Sequence, residues 1–162
     1  MNSILKIAIA ATVFAGIAVS DSTSFKVHVI GDSTVCNYKD SAYPQTGWGQ
    51  ILGSFFDGSR VQVVNYAIGG RSSKTFVQEG RLDEVKKNLQ KGDIMMVQFG
   101  HNDRYFGSKA REVPFDSLGY WLQQYADVAK GAGVTLVYVT PMNMNMGANG
   151  RNIFTEYNVV GK

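Results

Sequence analysis

Three short stretches concentrate the residue types that nucleophilic chemistry on an ester needs: Gly31-Asp32-Ser33, Gly69-Gly70 followed by Arg71-Ser72-Ser73, and Gly100-His101-Asn102-Asp103. A serine hydroxyl can attack a carbonyl where nearby N–H groups hold the oxyanion that the attack creates. Ser33 leaves an apolar run through a glycine, so its hydroxyl is expected to be exposed with its own N–H facing the same space. Gly70 can take positive φ and bring backbone close to a ligand, which makes its N–H a second candidate donor. Asn102 offers a side-chain amide, and one such donor typically contributes about 3 kcal/mol to acyl transfer. Each residue also has an ordinary role open to it. Ser33 or Thr34 suits a helix N-cap, and Gly69-Gly70 suits a tight strand-to-helix turn.

Other chemistries lack their patterns. Lys74 sits in the wrong register for a phosphate-binding G-x-x-x-x-G-K-[ST] loop, and no G-x-G-x-x-G follows an apolar run, so nucleotide binding has no fingerprint. His101 and Asp103 give only two possible metal ligands at i, i+2, which is a poor site, and His28 falls inside an apolar run where a core histidine is expected. A single cysteine, Cys36, excludes a disulfide scaffold and is read as a buried, unpaired thiol. The formal charge of +3 comes with no basic run denser than Lys86-Lys87, so a nucleic-acid footprint is missing. No metal and no cofactor is implied.

The elements that must hold these residues alternate regularly. Phe25–Ile30, Arg60–Ala67, Asp93–Phe99 and Val134–Thr140 read as strands. Gly47–Phe56 reads as a helix with Trp48, Ile51, Leu52 and Phe55 on one face. Lys74–Leu89 reads as a second helix interrupted by Gly80, Phe115–Lys130 as a third, and Asn152–Val160 as the start of a fourth. A β-α-β-α-β-α-β-α order predicts an α/β fold, a three-layer α/β/α sandwich on a parallel, flavodoxin-like sheet. Such a sheet puts its working residues at the carboxyl ends of its strands. Gly31-Asp32-Ser33, Ala67 to Gly70, Gly100 to Asp103 and Thr140-Pro141-Met142 are those ends. With 162 residues, 44% hydrophobic, and only 18 glycines and 3 prolines, the chain suits one globular domain.

Residues 1–20 differ in kind. Lys6 is followed by thirteen residues, Ile7 to Val19, with no charge, and Ala18-Val19-Ser20 supplies small residues at the positions a signal peptidase reads. This predicts a cleaved secretory signal peptide, a mature domain over 21–162 and a secreted protein. The apolar run is too short to span about 30 Å of hydrocarbon, so no membrane span is expected after signal removal.

Taken together, Gly31-Asp-Ser-Thr-Val35, Gly47-Trp48-Gly49, Gly70-Arg71-Ser72-Ser73, Glu79-Gly80-Arg81, Phe99-Gly-His-Asn-Asp103 and Thr140-Pro141 resemble the SGNH (GDSL) hydrolases, and within them the rhamnogalacturonan acetylesterases. The resemblance covers about Lys26 to Tyr157. It implies that Ser33 is the nucleophile and that the oxyanion is held by Ser33 N–H, Gly70 N–H and the Asn102 side chain. Asp32, Arg71 and His101 are expected beside the substrate. Tyr43, Trp48, Tyr105 and Phe106 are candidates to stack on sugar rings, and Arg71 and Arg104 to meet acidic sugars. The implied partner is an acetylated plant cell-wall polysaccharide, deacetylated through an acyl-serine intermediate.

The family's acid–base pair lies in an Asp-x-x-His motif, and no aspartate of this sequence has a histidine three residues on. The chain is therefore expected to be a C-terminally incomplete, amino-terminal portion of such an esterase with little activity by itself. Two other readings stand beside this one: a catalytically dead, glycan- or partner-binding remnant of the fold, and an esterase or lipase of small acyl esters.

Overall fold

The computed structural model describes residues 24–104 and 108–142. Four parallel strands, β1 (Phe25–Gly31), β2 (Val61–Asn65), β3 (Ile94–Gln98) and β4 (Thr135–Tyr138), form one sheet in the order β2-β1-β3-β4. β1 is central, pairing with β2 from Phe25↔Val61 to Val29↔Asn65 and with β3 from Val27↔Ile94 to Gly31↔Gln98. Parallel registers carry all strand ends to the same edge, so Ser33, Gly69 and Gly100 emerge together.

Alternation along the strands makes two cores. Ile30, Met95 and Val97 face one side and pack with Phe76, Leu82, Val85, Phe99 and Tyr125. Those partners come from α2 (Ser73–Gln78), α3 (Arg81–Lys86), α4 (Phe115–Ala132) and the end of β3. Val27 and Val29 face the other side, where they meet Val35, Cys36, Trp48 and Leu52. Helical layers on both faces of a parallel sheet are the three-layer fold the alternation predicts. Cys36 is buried and unpaired, as expected. His28 is buried on β1, its Nε2 3.0 Å from Asp93 Oδ2 and its ring stacked on Tyr66, which makes it a core histidine.

Three helical expectations are corrected. The Gly47–Phe56 segment forms only α1 (Trp48–Ile51) and a 3-10 turn at Leu52–Phe55. Trp48 and Leu52 pack inward, whereas Ile51 and Phe55 are exposed at 48% and 74%. Lys74–Leu89 divides into α2 and α3 because Gly80 adopts φ +71, a left-handed conformation that ends one helix and starts the next. No helix begins at Ser33, where the chain makes a turn. The proposed signal segment 1–20, Tyr105, Phe106 and the Asn152–Val160 helix lie outside the described residues. Among the described residues no helix is long and apolar enough to cross a membrane.

Candidate active site

Ser33 sits on a turn built by its neighbour. Asp32 is fully buried, and its Oδ1 accepts both the N–H and the hydroxyl of Thr34 at 2.8 Å. Its backbone oxygen accepts the N–H groups of Val35 and Cys36 at 3.1 and 3.0 Å. This side-chain turn competes with helix formation and explains why Ser33 is not an N-cap. The turn folds back tightly on the end of β3. A Cβ at Gly31 would lie 2.6 Å from Val35 Cγ2 and 2.8 Å from Gln98 O.

The Gly47-Trp48-Gly49 stretch clamps the turn from outside. Cβ atoms at Gly47 and Gly49 would lie 2.2 Å from Cys36 O and 2.6 Å from Val35 O, so the glycines let α1 rest on bare backbone. Trp48 Nε1 donates to Gln98 Oε1 at 3.0 Å, Gln98 Nε2 donates to Thr34 Oγ1 at 2.6 Å, and Thr34 Oγ1 donates to Asp32. Tyr38 adds a hydroxyl donated to Ser33 O at 2.7 Å. Trp48 is thus a structural clamp, and Tyr43, at 84% exposure, is a surface ring. With its carbonyl fixed, Ser33 keeps its N–H uncommitted among the described residues.

The second loop lies against it. A Cβ on Gly69 would sit 3.6 Å from Ser33 Cβ, and Gly70 takes φ +79, which an L side chain rarely adopts. Among the described residues no acceptor takes the Gly70 N–H. Ser72 then caps α2 in a reciprocal box with Thr75, so the strand-to-helix turn and the donor site share one loop. Asn102, on the third loop, donates Nδ2 to Arg71 O at 3.0 Å. Ser33, Gly69, Gly70 and Asn102 are all half-buried, open to a ligand on one side. Two uncommitted backbone N–H groups, a side-chain amide and a serine hydroxyl at one sheet edge can bind a carbonyl oxygen and attack its carbon.

Asp103 ties the second loop to the third. Its Oδ1 accepts Ser73 N–H at 3.0 Å and the Ser73 hydroxyl, and its Oδ2 accepts Gly100 N–H at 3.0 Å. Tyr125 completes the tie from α4 by donating its hydroxyl to Ser73 O at 2.8 Å. Burial pushes the Asp103 carboxyl up to about 6, despite the three hydrogen bonds that favour its ionised form. A folded-state value raised above the unfolded one stabilises the fold below about pH 4, and that stability is lost as pH rises through about 6. The unfolding penalty of Asp103→Asn is therefore expected to shrink by about 2 kcal/mol between pH 4 and pH 7. Denaturant melts of both proteins across that range measure it; a penalty that grows with pH would contradict the sign.

The three side chains expected beside the substrate each have partners within the protein. Asp32 is fully buried beneath its turn, and His101 is only 6% exposed, with Nε2 2.9 Å from Met142 O and Nδ1 3.6 Å from Asp32 Oδ2. Neither side chain reaches the open side of the site. His101 and Asp103, neighbours at i, i+2, turn to different partners. Arg71 is committed to its own loop, donating to Gly69 O at 2.9 Å and to Glu79 at 3.1 Å. Hydrogen bonds from Arg81 and Arg71 hold the Glu79 carboxyl below the ordinary range against partial desolvation, which gives Glu79-Gly80-Arg81 its structural sense. The apolar groove between α4 and β4, about 230 Å³ and lined by Phe99, Leu118, Leu122, Tyr138 and Pro141, includes none of the proposed catalytic residues.

The sequence places Ser73 in the Gly70-Arg71-Ser72-Ser73 stretch without a role and gives no role to Gln98 or Arg111. For Gln98, being a lone glutamine inside the apolar run Asp93–Phe99 was a usable signal. Ser73 bonds to Asp103, 30 positions away, and Arg111 lies in no motif.

The site and sheet together define a hydrolase-like α/β protein with a strand-end serine. The GDSL-like lipase/acylhydrolase family model matches residues 27–157, and the chain belongs to that family. It is 40% identical over 139 residues to the probable rhamnogalacturonan acetylesterase YesY of Bacillus subtilis, covering 84% of this chain and 63% of the relative. It is 38% identical over 128 residues to the rhamnogalacturonan acetylesterase RhgT of the same organism, covering 78% of this chain and 53% of that protein. The chain thus spans less than two thirds of the length of either relative. Among solved structures, B. subtilis YxiM superposes with a TM-score of 0.70 at 28% identity, over 85% of this chain and 41% of that one. The acetylxylan esterase Axe2 of Geobacillus stearothermophilus shares the fold, with a TM-score of 0.60 at 16% identity, over 85% of this chain and 69% of that one.

Proposed function

We propose that this chain carries the nucleophile and the oxyanion-binding loops of a secreted acetylesterase that removes O-acetyl groups from a plant cell-wall polysaccharide such as rhamnogalacturonan. The Ser33 hydroxyl attacks the acetyl carbonyl carbon. Ser33 N–H, Gly70 N–H and one Asn102 Nδ2 hydrogen take the charge that develops on the carbonyl oxygen. The carbon–oxygen bond to the sugar then breaks, the sugar hydroxyl leaves with a proton, and acetyl-Ser33 remains for water to convert to acetate. What supports this reading is the Ser33 side chain set against the Gly69-Gly70 loop, the free Ser33 and Gly70 N–H groups among the described residues, and Asn102 on the loop after the neighbouring strand β3. The polysaccharide comes from the names of the relatives, and export from the pattern of residues 1–20.

Attack also needs a base for the Ser33 proton. The chain has two histidines: His28 faces Asp93 within the sheet, and the His101 ring nitrogens face Met142 O and Asp32. Taken by itself the chain is therefore expected to transfer acetyl groups slowly.

The test is acetate release from acetylated rhamnogalacturonan, with acetylated xylan in parallel and Ser33→Ala as control. Slow release that requires Ser33 and is faster on rhamnogalacturonan is expected. Equal release by the wild type and Ser33→Ala would overturn the enzyme reading and favour a glycan-binding remnant.

A further inference from the structure

Arg111 lies outside every motif, yet its guanidinium reaches the centre of the site. Its Nη1 donates to Asn102 Oδ1 at 3.1 Å. The same nitrogen lies 3.7 Å from where a Cβ on Gly70 would stand. The side chain is half-buried, and among the described residues no carboxylate comes within 4 Å of it. Its backbone N–H is tied to Ser108 O at 3.2 Å, which anchors the loop that carries it.

The geometry removes an ambiguity in Asn102. An arginine only donates hydrogen bonds and a backbone carbonyl only accepts them. With Arg111 on Oδ1 and Arg71 O on Nδ2, the amide has one permitted orientation. That orientation leaves one Nδ2 hydrogen uncommitted. A cation on Oδ1 also draws electron density from the amide and strengthens that hydrogen as a donor.

We infer that Arg111 is a positioning residue for acyl transfer: it locks the Asn102 amide and sets a positive charge beside Asn102 and Gly70, where the oxyanion is to form. The inference rests on the reading of Asn102 as an oxyanion donor. It predicts that loss of Arg111 slows the acyl-transfer step on the order of 10- to 100-fold while half-saturation by the ester is little changed.

Two readouts test it on the 162-residue protein. The first is the Asn102 side-chain amide in a ¹⁵N-labelled sample, identified by its loss in Asn102→Ala. In Arg111→Met this resonance pair should shift and lose its exchange protection, while the Ser73 and Gly100 backbone amides, which Asp103 holds, stay in place. Arg111→Lys should restore part of the effect, and if Arg111→Met does not fold, Arg111→Gln takes its place. An Asn102 amide unmoved by loss of Arg111 overturns the inference whether or not the protein turns over an ester. The second readout is the rate of Ser33 acetylation by p-nitrophenyl acetate. A rate unchanged in a folded Arg111→Met protein also overturns it. Acetylation that does not require Ser33 overturns instead the reading of the site, which the first readout does not assume.

Discussion

Ser33→Ala is expected to abolish acetyl transfer from p-nitrophenyl acetate, bringing p-nitrophenolate release down to the buffer background. The Ser33 side chain lies against the Gly69-Gly70 loop, and removing its hydroxyl leaves only binding and oxyanion contacts, which form no acyl intermediate. The substitution should not disturb the fold, because the bonds that hold the turn run through Asp32, Thr34, Tyr38 and the Ser33 carbonyl. A sharper form of the prediction uses an external base. Both histidines are engaged away from Ser33, so imidazole added to the buffer should accelerate release by the wild type beyond its own reaction with the ester. Ser33→Ala should show only the imidazole background. Matching curves for the two proteins would contradict the assignment.

Asn102→Ala is expected to slow the same transfer roughly 100- to 1,000-fold, about 3–4 kcal/mol of transition-state stabilisation, with the fold retained. The amide is half-buried and fixed between Arg71 O and Arg111, so its hydrogen is preorganised before an ester arrives. Asn102→Asp should do at least as much harm, because a carboxylate would oppose Arg71 O and repel the developing oxyanion. The effect should fall on the rate and not on half-saturation, since the bond strengthens only as charge develops. Single-turnover acetylation rates across a range of ester concentrations make the separation. A loss confined to half-saturation would make Asn102 a substrate contact and not an oxyanion donor.

The sheet was readable because its strands are short apolar runs, with Gly31 and Gly100 marking the ends of two of them. The expected Phe25–Ile30 differs from β1 by one residue at its end, and Asp93–Phe99 from β3 by one residue at each end. Strand-end topology is what made Ser33, Gly70 and Asn102 candidates, and the family resemblance supplied their proposed roles. Helices were less legible. Spacing gave Gly47–Phe56 an apolar face, but the fold uses its glycines as bare contacts on Val35 and Cys36 and leaves Phe55 in water. At Ser33 the preference for an N-cap lost to the Asp32 side chain, which takes the Thr34 N–H locally.

What holds the site together was the hardest part to read. The bonds from Trp48 to Gln98 and from Ser73 to Asp103 join residues 50 and 30 positions apart. No periodicity encodes such pairs. Burial of Asp32 and His101, which the resemblance places beside the substrate, was likewise not legible from the sequence.

The central claim is that Ser33 is the atom to which an acyl group is transferred. The most direct measurement is to incubate the protein with p-nitrophenyl acetate, quench with acid, and map the acetyl group by peptide mass spectrometry. Acetyl is expected on Ser33, in a yield that Asn102→Ala sharply lowers and Ser33→Ala eliminates. Acetyl found only on surface lysines, in equal yield from all three proteins, would contradict it.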